Sequence, residues 1–135
     1  MNEKDIIKSI GYCGHVCALC KDAKYCEGCK SKHASCSKHE NSKGCYQYQC
    51  CQKKGLNGCW ECDDAPCDKD VFTKEQIRYR AFVRFAKYEG VEEFGKCIFI
   101  NQVSGILYGE GRDYDKLDSE NAVAELLTSH YIVKD

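Results

Sequence analysis

Large apolar side chains are almost missing between Cys13 and Cys67. Over these 55 residues only Val16, Leu19, Leu56 and Trp60 qualify, joined by Tyr25, Tyr46 and Tyr48. Ordering a backbone costs about 1–2 kcal/mol per residue, and so few side chains cannot offset that by burial. A conventional hydrophobic core is therefore excluded for this half, which must be cross-linked or stay disordered. Other absences narrow the choice. No run approaches the ~20 apolar residues that a membrane span needs. The opening Met1-Asn2-Glu3-Lys4-Asp5-Ile6-Ile7-Lys8 is charged and lacks the apolar centre of an export signal. Together these predict a cytoplasmic protein with no membrane association. A phosphate-cradling G-x-x-x-x-G-K-[ST], a dinucleotide G-x-G-x-x-G in a βαβ setting and a zinc-protease H-E-x-x-H are all absent. No catalytic constellation stands out, and the chain reads as a binding protein more readily than as an enzyme.

What fills the poor half is sulfur. The chain has 13 cysteines in 135 residues, and all but Cys97 lie between Cys13 and Cys67. They inflate the hydrophobic fraction of 43%; without them it falls to roughly a third, below the usual share. In a reducing compartment dense cysteines read as metal ligands and not as disulfides.

The spacing supports this. It runs Cys13-x3-Cys17-x2-Cys20-x5-Cys26-x2-Cys29-x6-Cys36-x8-Cys45-x4-Cys50-Cys51-x7-Cys59-x2-Cys62-x4-Cys67. In the pairs Cys17/Cys20, Cys26/Cys29 and Cys59/Cys62, two intervening residues let both sulfurs converge on one tetrahedral ion. Gly14, Gly28 and Gly58 adjoin ligand candidates, where a positive φ is often needed. Cys50 and Cys51 are adjacent and do not suit one ion, so Cys51 reads as a spare. His15, His33 and His39 read as surface histidines, because cysteines alone can fill the sites. Cys97 reads as a small buried hydrophobe. The grouping of ligands stays open, with room for two or three ions. Zinc is favoured over an iron–sulfur cluster. The Cys13-x3-Cys17-x2-Cys20 spacing matches radical-SAM enzymes, but their alternating strands and helices are not seen, and Pro66 precedes Cys67 where a ferredoxin run has proline after cysteine.

The pattern Cys13-Gly14-x-x-Cys17-x-x-Cys20, Cys26-x-Gly28-Cys29, Cys45-x4-Cys50 and Cys59-x-Glu61-Cys62-x-x-x-Pro66-Cys67 resembles the small cysteine-rich prokaryotic proteins of domain-of-unknown-function family 3795. Gly111-Arg112-Asp113-Tyr114-Asp115 resembles that family's tail, so the likeness spans nearly the whole chain. Members are described as zinc-binding proteins without an established activity. The resemblance implies ten ligands, Cys13, Cys17, Cys20, Cys26, Cys29, Cys45, Cys50, Cys59, Cys62 and Cys67, and no reaction. Cys36 and Cys51 look like additions and are extra candidates. Ala65 departs from the aromatic residue usual before the Pro-Cys step.

The second half regains helical periodicity. Thr73-Lys74-Glu75-Gln76 fits a capping box. Ile77, Ala81, Phe82, Phe85 and Tyr88 then form an apolar face that stops at Gly90. Val91, Phe94 and Ile98 predict a second helix to about Gln102, weakened by Gly95. Ile106-Leu107-Tyr108 suggests a short strand or hairpin among Gly105, Gly109 and Gly111. Asp118 or Ser119 caps a last helix with Val123, Leu126, Leu127 and Tyr131 in one stripe. Ile6, Ile7 and Ile10 predict a short amphipathic lead-in. Arg80, Arg84 and Lys87 read as a solvated face. Asp113, Asp115 and Asp118 are candidates for a cation or an arginine partner, with helix capping favoured.

The lysines of residues 21–54 and their interleaved tyrosines suit a nucleic-acid backbone, yet no arginine occurs there. Neutralising thiolate-rich metal sites is the stronger reading, and nucleic-acid binding is disfavoured. The expectation is a small α-rich, metal-stabilised protein. A loop-rich zinc-knuckle module, residues 1–70, packs as one unit on about three helices in residues 71–135. Zinc would be structural, and the ordered surface would serve a protein partner. An iron–sulfur or thiol-redox accessory protein is the alternative.

Overall fold

The computed structural model describes residues 2–19, 46–67, 72–109 and 112–133. Five α-helices occur there: α1 (Glu3–Ser9), α2 (Tyr46–Lys54), α3 (Ile77–Glu89), α4 (Val91–Val103) and α5 (Glu120–Val133). Short 3-10 turns cover Cys17–Leu19, Cys59–Glu61 and Asp113–Lys116. Among the described residues there is no strand, only an antiparallel bridge between Ile10 and Val16. The molecule is thus α-rich, as its periodicity predicts.

α3 is the centre of the packing, lying against α4 and α5, while α1 rests on α4. Phe82 on α3 is fully buried, with its ring 5.0 Å from Phe94 of α4 and edge-on to Tyr114 at 5.3 Å. Cys97 is fully buried in the same core, as expected of a small hydrophobe. Ile6, Ile10, Val16 and Trp60 join this core from the cysteine-bearing side. These described apolar residues of the first half are thus packed into the second half's core.

Gly90 ends α3 at a positive φ of 96° and leads directly into α4. Gly95 sits mid-helix in α4 because α1 crosses there: a Cβ would stand 2.5 Å from Ile7 Cγ1. Close approach therefore overrides the helix penalty of glycine. Ser119 caps α5, its hydroxyl accepting from the Ala122 amide at 3.1 Å. Val123 and Leu127 are buried and Leu126 half-buried; the Tyr131 side chain lies outside the description.

Four expectations are corrected. The capping box at Thr73 does not form, because α3 begins only at Ile77 and the Gln76 amide donates to the Thr73 carbonyl in a turn. A reciprocal box instead starts α1, between Asn2 and Asp5. Residues 106–108 make no hairpin: the Leu107 amide goes to Asp113 at 2.7 Å and the Tyr108 amide to Gln102 at 3.0 Å. Arg80 and Lys87 are not a solvated face. Arg80 donates to the carbonyls of Cys67 (2.7 Å) and Phe72 (2.6 Å) and pairs with Glu120, while Lys87 donates to those of Asp63 (3.0 Å) and Ala65 (3.1 Å). Finally, Asp115 holds an arginine instead of capping a helix, pairing with Arg78 at 3.0 Å.

Candidate metal centre

Successive residues of a helix project about 100° apart, so adjacent cysteines on α2 face different neighbours. Cys51 is buried and meets Cys59, with 3.8 Å between the two Sγ atoms. Cys59 opens the 3-10 turn that ends at Glu61. Its amide donates to the Tyr12 carbonyl at 2.7 Å, which draws the Cys13 segment alongside. Gln52 on α2 holds the Tyr12 hydroxyl at 2.8 Å, tying the same segment from the other side. Cys13 itself sits on a tight turn. The Gly14 amide donates to Gly11 at 3.0 Å, and Gly14 takes the positive φ of 85° expected beside Cys13. Gly58 does not share that reason; its φ of −177° is ordinary extended backbone.

Cys13, Cys59 and Cys67 are half-buried and pack against the core. A shared hydrogen bond with Cys51, then burial, then the neighbouring thiols of Cys51, Cys13 and Cys67 push the Cys59 thiol far above its ordinary range. Thiols gathered this closely resist ionising together unless a cation offsets their charge.

Cys62 turns to a different neighbour. Lys54 donates to its Sγ at 3.4 Å. That hydrogen bond first of all, with the nearby Cys50 and Cys62 side chains, raises the pKa of the exposed Lys54 ammonium. Cys59 and Cys62, expected as a converging pair, thus have separate partners. Cys17 is half-buried, its Sγ 3.9 Å from the His15 carbonyl.

None of the eight described cysteines is in a disulfide. Among the described residues no group of three or more His, Cys, Asp or Glu side chains already stands in metal-holding positions. Cys20, Cys26, Cys29, Cys36 and Cys45, with Gly28, His33 and His39, lie outside the described residues.

Cys51, the spare among the sequence's candidates, meets Cys59, and on a helix its adjacency to Cys50 sends the two side chains to different places. His15 is likewise no surface residue. Its Nδ1 lies 2.9 Å from the Tyr108 hydroxyl, which accepts from the Val16 amide at 2.9 Å. Arg78, buried beside them, stacks 4.8 Å from the Tyr79 ring and 5.4 Å from that of Tyr108. This polar cluster anchors the Cys13–Cys17 loop to α3 and to the segment after α4. No motif signalled it, because its members come from three separate places in the chain.

Comparison with known families now adds one fact. Residues 21–71 match a family model described as "Protein of unknown function (DUF3795)". The likeness to that family lies in the cysteine-rich segment. The match takes in every ligand candidate from Cys26 to Cys67. It stops short of Cys13, Cys17 and Cys20 and of the Gly111–Asp115 stretch, so it is narrower than the resemblance read from the cysteines. No curated protein and no solved structure matches the chain. No described helix is long and apolar enough to cross a membrane.

Proposed function

We propose that this DUF3795-containing chain is a zinc-binding protein in which the metal is structural and the ordered surface docks a protein partner. The observation that carries the reading is the Cys51–Cys59 pair at 3.8 Å, with the half-buried cysteines Cys13 and Cys67 also packed against the core. Thiolates are preferred zinc ligands, and structural zinc takes four of them. Cysteine sulfur is the donor type that suits that ion, and Cys51 and Cys59 bring two such donors together.

Zinc would supply the cross-linking that this half lacks in apolar burial. Structural zinc contributes about 10–16 kcal/mol of apparent binding free energy, against total stabilities of about 5–15 kcal/mol. The chain's own residues prepare the ground. Arg80 and Lys87 hold the backbone of residues 63–67, and Lys54 balances charge at Cys62. For the partner, support comes from a groove of about 310 Å³ between α3 and α5, where Tyr88 is 73% exposed. Exposed tyrosines of this kind are frequent anchors in protein contacts.

Elemental analysis of protein purified without oxygen tests the reading. Colourless protein with stoichiometric zinc is the expected result. Brown protein absorbing near ~400 nm with iron and sulfide would replace zinc by an iron–sulfur cluster. Metal-free but fully folded protein would end the metal reading altogether.

A further inference from the structure

We infer that the groove between α3 and α5 docks a basic amphipathic helix of a protein partner, with apolar side chains on the groove floor and lysine or arginine against Glu89 and Glu125. This deepens the partner half of the proposed function and rests on it, and it needs no metal. Small residues leave the space open. Ala81 on α3 and Ala124 on α5 line it from opposite sides, and Phe85 adds an aromatic lining, around a volume of about 310 Å³. Ala81, Phe85 and Tyr88 recur at helical spacing and share one face of α3, as Glu120, Ala124 and Thr128 do on α5. Each set runs for roughly 10–12 Å, or two turns of helix.

Charge on the groove is one-sided. Three carboxylates line it, those of Glu89, Glu120 and Glu125, against the single guanidinium of Arg84. Glu120 is already matched, to Arg80 at 3.2 Å and to Arg84 at 3.8 Å. Glu89 and Glu125 are exposed, and neither carboxylate has an ion-pair or hydrogen-bond partner among the described residues. Each lies five positions beyond a member of the Arg84–Glu120 pair, about 7.5 Å further along its helix. Lys87, the cation next to Tyr88, is occupied by the carbonyls of Asp63 and Ala65. Tyr88 stands 73% exposed on the groove wall and offers its ring to a partner's cation.

These features select the partner. Unpaired carboxylates repel the phosphates of nucleic acid and of an anionic membrane surface, so neither suits this face. Glu89 and Glu125 belong to no group of three or more candidate metal ligands among the described residues. An acidic or neutral peptide would strip water from both carboxylates and give them no charge in return. A basic helix answers each feature: apolar residues one turn apart for the floor, cations for the rim, and a cation–aromatic contact at Tyr88. Its two turns also match the length of the groove.

The test titrates the isotope-labelled full chain with three short alanine-rich helical peptides. They share two leucines one turn apart and differ only in carrying lysine, glutamine or glutamate beside them. Amide NMR should place the lysine peptide on residues 84–89 and 120–125. At low salt it should bind about fivefold tighter than the glutamine peptide, as two exposed ion pairs of ordinary strength give, and the glutamate peptide should bind weakest. Molar salt should close the gap between lysine and glutamine. Glu89→Gln combined with Glu125→Gln should close it too, with the helical circular dichroism unchanged, since both side chains are exposed. Equal binding of the lysine and glutamine peptides in the groove overturns the basic partner and leaves the docking surface standing. A gap that persists in the double variant overturns the assignment to these two carboxylates. Shifts that map elsewhere, or no binding by any of the three, overturn the groove as a docking surface, and the partner reading loses its support with it. Zinc content, measured on the same sample, judges the metal half of the proposed function separately.

Discussion

Gly58 has extended backbone that any residue could adopt, yet only glycine fits. A Cβ there would fall 2.2–2.4 Å from three ring atoms of Trp60. Trp60 is itself buried against the core, so its rigid ring cannot step aside cheaply. Gly58→Ala is therefore expected to cost roughly 2–3 kcal/mol by overpacking. Trp60 is the only tryptophan, so its fluorescence reads both effects. Urea unfolding should show a lower midpoint, and native emission should shift to the red. An unchanged midpoint would mean the ring does not cover Gly58. A second residue-scale effect concerns Tyr114, whose hydroxyl accepts from Asn101 Nδ2 at 2.9 Å. Burial first of all raises its pKa above the ordinary 10.0, and the Asn101 hydrogen bond only partly opposes this. The folded state thus keeps a proton that the unfolded state loses. This stabilisation is complete below pH 10 and is lost as pH climbs toward the raised value, by up to about 1.4 kcal/mol per pH unit. Tyr114→Phe should cost about 1 kcal/mol near neutrality through the lost hydrogen bond. Above pH 10 its deficit against wild type should shrink. Unfolding free energies across the range pH 8 to 11 measure it; parallel curves would contradict the burial of this hydroxyl.

At the scale of elements, α3 acts as a clamp. Arg80 and Lys87, seven positions apart, reach four carbonyls, those of Cys67, Phe72, Asp63 and Ala65. Charge-assisted bonds contribute about 1.5–3 kcal/mol each, less where water reaches them. Arg80→Ala is expected to cost about 2–3 kcal/mol in chemical unfolding, and Arg80→Lys to recover only part. One ammonium cannot reproduce the planar fork that serves two carbonyls and Glu120 together. Full recovery by lysine would show that charge alone matters. This clamp also marks where sequence reading stops. The apolar faces of α3, α4 and α5 follow from local spacing, and Gly90 announces its own break. The same spacing places Arg80 and Lys87 opposite the stripe, and nothing local tells a solvated cation from one bound to backbone far along the chain. The supposed strand at 106–108 fails for a like reason: Gln102 and Asp113, both side chains, take the amides a partner strand would have used. Cysteine spacing marks the ligand candidates as a class. Which of them come close depends on contacts that spacing does not carry, such as Cys51 on α2 meeting Cys59 and the Cys59 amide reaching Tyr12 across the chain.

For the whole molecule, the two halves are unequal partners in one core. Val16, Trp60 and α1's Ile6 are buried among Phe82, Phe94 and Val123, so the first half borrows its burial from the second. Removing metal should therefore not unfold the chain evenly. Residues 46–57 have Cys51 as their only buried apolar anchor among the side chains described, so under the proposed zinc reading they would depend most on the metal. The loop carrying Cys13 and the turn at Cys59 would be held partly by metal and partly by the core. The α3–α5 layer depends on it least. Anaerobic chelation followed by hydrogen exchange should rank them in that order. Amides of 46–57 should exchange fast, those of 11–17 and 58–62 at intermediate rates, and those around Val83, Ile98 and Val123 slowly. Far-UV circular dichroism should keep the helical signal of residues 77–133, because their apolar faces meet one another and need no ion. Loss of protection throughout, in one cooperative step, would mean that the metal-held half supports the helices as much as they support it. Protection unchanged in 46–57 would mean that α2 stands without metal.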